Sequence, residues 1–106
     1  MTTFDKREQG FENKFAHDEA LRFKATARRN KLLGLWAAEK QGLSGDAAAA
    51  YAKDVVASDF EEAGDEDVVR KVADDFAVNN IAISSDEIRH KMIDLMHTAI
   101  EQVQAG

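Results

Sequence analysis

The chain has 106 residues, and it contains no proline and only six glycines. Proline breaks a helix interior and glycine weakens it, so a sequence almost free of both leaves long helices uninterrupted. Alanine, the best helix former, is also the commonest apolar residue. These features predict an all-α protein without strands. One domain is expected, because a single core is normally built from ~100 to 200 residues.

Several classes of protein are excluded by composition. Hydrophobic residues make up 44% of the chain and charged residues 32%, as in an ordinary globular protein. Without cysteine there is no disulfide framework, thiolate metal site or thiol nucleophile. The N-terminus is charged where a signal peptide needs an apolar core, and no run approaches the ~20 apolar residues of a membrane span. We therefore expect a cytoplasmic protein with no direct membrane insertion.

Charge is spread unevenly along the sequence. The net charge is −6, which argues against a nucleic-acid partner, because such proteins carry a basic footprint. Residues 1–31 nevertheless contain eight basic and five acidic side chains, a local balance of +3, which leaves −9 for the remainder. The asymmetry suggests that the basic part meets a partner, although a long solvated helix would show the same pattern.

The first of four predicted helices is the longest. It begins at about Phe4 or at Ala16 and ends at Gln41, because Gly42 is the residue type usual just past a helix end. Its C-terminal half is rich in leucine, and Trp36 is expected to be the largest residue of the core. The alternative for Trp36 is an anchor on a binding surface, where tryptophan is also enriched.

Helical periodicity places two further helices in the middle of the chain. The second follows Ser44 and reaches Phe60, with apolar residues at a spacing of 3.6. The third begins near Asp65, whose acidic first turn suits the helix dipole, and ends by Asn79 or Asn80.

A capping-box spacing marks the start of the fourth helix. Ser84 is followed three residues later by Glu87, so that each side chain can satisfy a free backbone N–H of the first turn. The apolar stripe that follows consists of Ile88, Met92, Leu95, Met96 and Ile100. Four amphipathic helices joined by short connections predict an antiparallel four-helix bundle.

The first nineteen residues differ from the rest. They hold three of the six phenylalanines, Phe4, Phe11 and Phe15, whose spacing of seven and four would bring them to one face of a helix. Gly10 and Asn13 weaken that helix, and one so short is barely stable alone in water. We expect residues 1–19 to be marginally ordered when free and helical in a partner's groove, with residues 20–106 forming the bundle. Alternatively, the phenylalanines join the bundle core.

Four segments of the chain carry a resemblance to a known family. They are Phe4-Asp5-Lys6-Arg7-Glu8, Phe11-Glu12-Asn13-Lys14-Phe15-Ala16-His17-Asp18, Arg28-Arg29-Asn30-Lys31-Leu32-Leu33-Gly34-Leu35-Trp36-Ala37-Ala38-Glu39 and Asp59-Phe60-Glu61-Glu62-Ala63-Gly64. Together they resemble the zeta inhibitor subunits of alphaproteobacterial F-type ATP synthases. The resemblance implies that the chain is not an enzyme and that its partner is the catalytic head of the ATP synthase. The chain would then be a peripheral protein on the membrane-bound ATP synthase.

The resemblance also implies a mechanism. The N-terminal segment would insert as a helix between a catalytic and a non-catalytic subunit of the head and block rotary ATP hydrolysis, with the bundle outside. The phenylalanines would be apolar anchors, and the charged residues would set the register. The implied contact residues are Phe4, Asp5, Arg7, Glu8, Phe11, Glu12, Lys14 and Phe15. No cofactor is implied.

The alternative function is a helical interaction or adaptor protein with a metal-binding or membrane-binding role. Glu87 and His90 have the Glu-x-x-His spacing of helical di-iron bundles, and Asp94, His97 and Glu101 share a face with His90. Such sites need a second Glu-x-x-His motif, which the sequence lacks, so exposed histidines are the simpler interpretation. A basic, phenylalanine-bearing N-terminus could bind a membrane surface, but its acidic residues would be repelled by anionic lipid.

Overall fold

The computed structural model describes residues 19–59 and 65–105. They form four helices: α1 (Glu19–Lys40), α2 (Gly45–Ser58), α3 (Glu66–Val78) and α4 (Ser85–Ala105). No strand occurs in these two stretches. The predicted all-α, four-helix fold with a long first helix is therefore confirmed for this part of the chain. The predicted start of the first helix before residue 19 lies outside the described residues. The second helix was predicted to reach Phe60, but it ends at Ser58, with Asp59 as its C-cap.

The first and last helices run antiparallel. Arg28 lies beside Gln102 and Trp36 lies over Lys91, so that α1 and α4 point in opposite directions. The longest helix, α1, packs extensively on both α2 and α4 and only slightly on α3. It is therefore the element that orients the rest of the bundle.

The connections after α1 and α3 are built in the same way. Gly42 follows α1 with φ of +80°, and the next residue, Leu43, donates its N–H to the carbonyl of Ala38 at 2.8 Å. After α3, Asn80 takes the equivalent place with φ of +60°, and Ile81 donates back into the last turn at 2.8 Å. This is the Schellman ending, which needs a left-handed residue just past the helix. The predicted ends of both helices are confirmed to within a residue.

The predicted cap of α4 is present. The N–H of Glu87 donates to the hydroxyl oxygen of Ser84 at 3.1 Å. The Glu87 carboxylate in turn accepts from the Ser84 hydroxyl at 3.4 Å, whereas in a complete capping box it accepts from the backbone N–H. Ser84 therefore supplies the capping contact that starts α4.

The core lies where the four helices meet, and its largest fully buried side chains are Phe76, Leu33, Ile88, Val55, Val68 and Val72. The prediction that Trp36 is the largest core residue is wrong. Its ring is half-buried at the edge of the core, edge-on to Phe76 at 5.7 Å. Leu33 and Ala37 occupy the inner face of α1, and Trp36 is displaced from Ala37 by about 100° around the helix.

Candidate functional site

The eight predicted contact residues lie outside the described residues; they are Phe4, Asp5, Arg7, Glu8, Phe11, Glu12, Lys14 and Phe15. The structure describes the helix that follows them. Arg22 and Phe23 are exposed in the first two turns of α1, and Phe23 keeps 63% of its surface in contact with solvent. A single exposed apolar side chain is common on protein surfaces, so Phe23 does not by itself mark a binding site.

One basic residue of this region has a structural role that the charge count did not predict. Arg29 is only 5% exposed, and its guanidinium makes two hydrogen bonds to the carboxylate of Asp65, the shorter at 2.8 Å. It also donates twice to the side-chain oxygen of Asn30. Arg29 therefore holds α1 to the start of α3, and its charge is paired within the bundle.

Asp59, at the C-terminal end of α2, lies beside this cluster. Burial raises the pKa of the Asp59 carboxyl, and the neighbouring carboxylates of Asp67 and Asp65 act in the same direction. The nearby Asn30 amide and Arg29 guanidinium lower the same pKa. The side-chain nitrogen of Asn30 has no hydrogen-bond partner in the described part of the chain. We therefore attribute the lowering of the Asp59 pKa by Asn30 to the closeness of its polar amide and not to a hydrogen bond.

A second polar cluster joins α2 to α3. The hydroxyl of Tyr51 donates to the carboxylate of Asp75 at 2.8 Å, and Lys71 pairs with the same oxygen at 2.9 Å. The Lys71 ammonium also lies 5.2 Å from the centre of the Tyr51 ring. Burial is the main cause that raises the pKa of the Tyr51 hydroxyl well above the usual range, and the hydrogen bond to Asp75 raises it further. Tyr51 is therefore a neutral donor that fixes helix packing, not an acid or base.

The geometry of α4 does not favour the metal alternative. His90, Asp94, His97 and Glu101 are all exposed along the helix. Within residues 19–59 and 65–105, no group of three or more potential ligands could hold a metal ion. Arg89, between Glu87 and His90, pairs with Glu66 at 2.8 Å and with Asp86 at 3.0 Å, and its bond lowers the pKa of Glu66. None of the described helices is both long and apolar enough to span a membrane.

Two apolar grooves lie on the surface of the bundle. The first, which we name the α1/α2 groove, has a volume of about 370 Å³ and is lined by Lys31, Leu35, Ala49, Ala52, Lys53 and Val56. The second, the α3/α4 groove, has a volume of about 390 Å³. Its apolar lining residues are Val69, Met92, Ile93, Met96 and Ile100. Sequence reasoning identified neither groove.

The helices α1 and α2 approach each other closely beside the α1/α2 groove. Gly34 is buried in α1, and a Cβ atom added there would lie 2.6 Å from the Cα of Ala52. The two backbones are therefore in direct contact, and the small side chains of Ala49 and Ala52 leave the groove open. A glycine in the middle of a long helix was the sequence signal of this contact, because glycine weakens a helix unless packing requires it.

The comparisons agree with this architecture. A family model described as ATPase inhibitor subunit zeta matches residues 1–102. Four chains of solved structures match, and one of them, a solution NMR structure, is 52% identical with a TM-score of 0.72 over 80% of this chain and 96% of that chain. No curated protein matches. The predicted family is confirmed: the sequence from the N-terminal segment to α4 fits the family model, and the chain belongs to the ATPase inhibitor subunit zeta family.

Proposed function

We propose that the chain inhibits the F-type ATP synthase by inserting residues 1–19 as a helix into an interface of its catalytic head. The interface lies between a catalytic and a non-catalytic subunit, and the four-helix bundle stays outside as an anchor. The inserted helix blocks rotary ATP hydrolysis and so conserves ATP when the proton gradient fails. The observation that carries the proposal is the match of the inhibitor family to residues 1–102, which includes this segment as well as the bundle.

The chemistry of the segment supports the proposal. Phe4, Phe11 and Phe15 recur at helical spacing, and buried aromatic side chains are the usual anchors of a helix in a groove. Charged residues of both signs lie between them and would set the register by pairing with the walls of the interface. The rigid bundle begins at the end of this segment, with α1 at Glu19.

The direct test is ATP hydrolysis by the head of the F-type ATP synthase from the same organism, freed of its own inhibitor. We expect the full chain to inhibit and a chain lacking residues 1–19 to have no effect. In the full chain, replacing Phe4, Phe11 and Phe15 together by serine should remove inhibition as well. A matched control replaces Thr2, Thr3 and Gln9 by alanine in the same segment and should inhibit like the wild type. Inhibition by the truncated chain would refute the proposed role of the segment.

A second experiment tests whether the segment binds as a helix. Gly10→Ala should lower the concentration needed for half-inhibition by about fivefold, because alanine favours a helix over glycine by about 1 kcal/mol and the helix must be ordered on binding. The effect of Gly10→Pro should be the opposite and larger. If both variants inhibit as strongly as the wild type, the segment does not bind as a continuous helix.

A further inference from the structure

The α1/α2 groove has the shape of a helix-binding site. Its floor is formed by Ala49 and Ala52, and Leu35 and Val56 add larger apolar side chains. Leu35 remains 37% exposed although it is apolar, so this part of the groove is not covered by the rest of the bundle. An apolar floor of small residues can receive the apolar face of an amphipathic helix.

The charges of this groove distinguish it from the α3/α4 groove. Lys31 and Lys53 are exposed on its lining, and among the described ion pairs neither has a partner. In the α3/α4 groove the cations Arg29 and Arg89 are already paired with carboxylates of the bundle. Two unpaired lysines beside an apolar floor, in a chain with net charge −6, favour an acidic partner at the α1/α2 groove.

The position of the groove on α1 connects it to the inhibitory segment. A small cavity beside the groove is lined by Phe23, Ala27 and Val56, so the surface continues along α1 towards its first turns. Phe23 and Leu35 are about 18 Å apart along this helix at 1.5 Å per residue. If residues 1–19 enter the enzyme, the first turns of α1 must lie at its rim, and this face extends from there.

We propose that the α1/α2 groove is the docking surface of the bundle on the outside of the ATPase head. Its occupant is an acidic amphipathic helix of the head, whose apolar face packs on Leu35 and the alanine floor and whose carboxylates pair with Lys31 and Lys53. This inference rests on the proposed function, and it adds a second contact that is independent of the N-terminal segment. Two linked contacts bind more tightly than either alone, because the second forms at a high effective concentration.

The test compares Leu35→Glu with a matched control, Ile93→Glu, in the full chain. Each change replaces an exposed apolar side chain by a carboxylate. The two sites differ in position, because Ile93, which is 58% exposed, lines the α3/α4 groove. Binding to the isolated head and inhibition of its ATP hydrolysis are both measured, and circular dichroism establishes that each variant is folded. We expect Leu35→Glu to weaken binding by about tenfold or more and Ile93→Glu to stay within about twofold.

Charge reversal tests the predicted acidity of the partner. Lys31→Glu combined with Lys53→Glu should weaken binding by about tenfold or more. The control, Lys40→Glu combined with Arg70→Glu, changes the net charge equally outside the groove and should have little effect. Binding of the wild type should also weaken as salt is raised, because exposed ion pairs are screened, and this salt dependence should be smaller in the Lys31/Lys53 variant.

The outcomes separate this proposal from the proposed function. Wild type that binds and inhibits, together with Leu35→Glu that does the same at equal strength, overturns the groove proposal and leaves the inhibitory role intact. A loss of binding in Ile93→Glu alone places the contact in the α3/α4 groove and also overturns it. If the wild type binds the head without inhibiting it, the inhibitory role is refuted, and the variants still test the groove. If the wild type neither binds nor inhibits, both the inhibitory role and the groove proposal are overturned. If sedimentation shows that the free protein self-associates through Leu35, the groove is a contact between copies and the proposal is wrong.

Discussion

Replacing Gly34 by alanine should destabilise the bundle, although alanine is the better helix former. The added Cβ would lie 2.6 Å from the Cα of Ala52, 3.1 Å from its Cβ and 3.3 Å from the Cβ of Val55, all short of ordinary van der Waals contact. The nearest of these atoms belongs to the backbone and cannot rotate away, so α1 and α2 must move apart. Overpacking of this kind costs about 1 to 3 kcal/mol, and a backbone contact belongs in the upper half of that range.

The gain in helix propensity opposes this cost and amounts to about 1 kcal/mol. The net loss in the free energy of unfolding is therefore about 1 to 2 kcal/mol, and each kcal/mol corresponds to a fall in Tm of roughly 4 to 8 °C for a domain of this size. Urea unfolding followed by circular dichroism measures the change, and an unaltered m-value would establish that the folded state is still compact.

The control is Ala50→Gly at an exposed position of α2, which should cost about 1 kcal/mol from propensity alone. If propensity were the only effect, Gly34→Ala would stabilise the protein by a similar amount. A Gly34→Ala variant as stable as the wild type, or more stable, would refute the close approach of α1 and α2.

Three further substitutions test the polar contacts. Ser84→Ala should lower the free energy of unfolding by about 1 kcal/mol, because it removes the oxygen that caps α4. Ser84→Asp should keep the stability of the wild type, since aspartate also caps a helix. Equal stability of Ser84→Ala and the wild type would contradict the cap. Asp65→Ala should cost about 1 to 3 kcal/mol because it leaves the buried Arg29 guanidinium without its carboxylate. The cost stays below that of a fully buried pair, since Asp65 is half exposed. A double-mutant cycle that combines Asp65→Ala with Arg29→Met should show positive coupling between the two sites. Additive changes in the free energy of unfolding would contradict the ion pair. Asp59→Asn should raise stability at pH 7. The folded pKa of this partly buried carboxyl at a helix C-terminus is raised, so the folded chain binds the proton more tightly and ionisation destabilises it. The gain should therefore shrink as pH falls through the folded pKa and vanish below the ordinary value of 3.8, and a gain independent of pH would refute this cause.

The features that sequence reasoning predicted correctly are local ones. The end of α1 before Gly42 and the start of α4 after Ser84 depend on backbone groups a few residues away, and the residue types that satisfy those groups are few. The four helices themselves follow from periodicity and from the absence of proline. The family also came from linear patterns, and the family model confirms it.

The predicted contact residues of the N-terminal segment, such as Phe4 and Phe11, stay predictions, since they lie outside the described residues. A short segment with Gly10 inside it is a weak helix on its own in water, so its sequence predicts the chemistry and spacing of these residues but not their contacts. Under the proposed function those contacts are made with the partner.

Tertiary packing decided the features that depend on contacts between residues distant in sequence. Arg29 looked like one more surface cation, and only the return of the chain to Asp65 buries it in an ion pair. Trp36 lies at the edge of the core because Leu33 and Ala37 take the inner face of α1. The close approach of Gly34 to Ala52 likewise joins two helices that are separate in sequence. The sequence by itself determined the four helices, the ends of α1 and α3 and the family, since these follow from neighbouring residues. Which side chains are buried or face a partner depends on residues distant in sequence that meet only in the folded bundle.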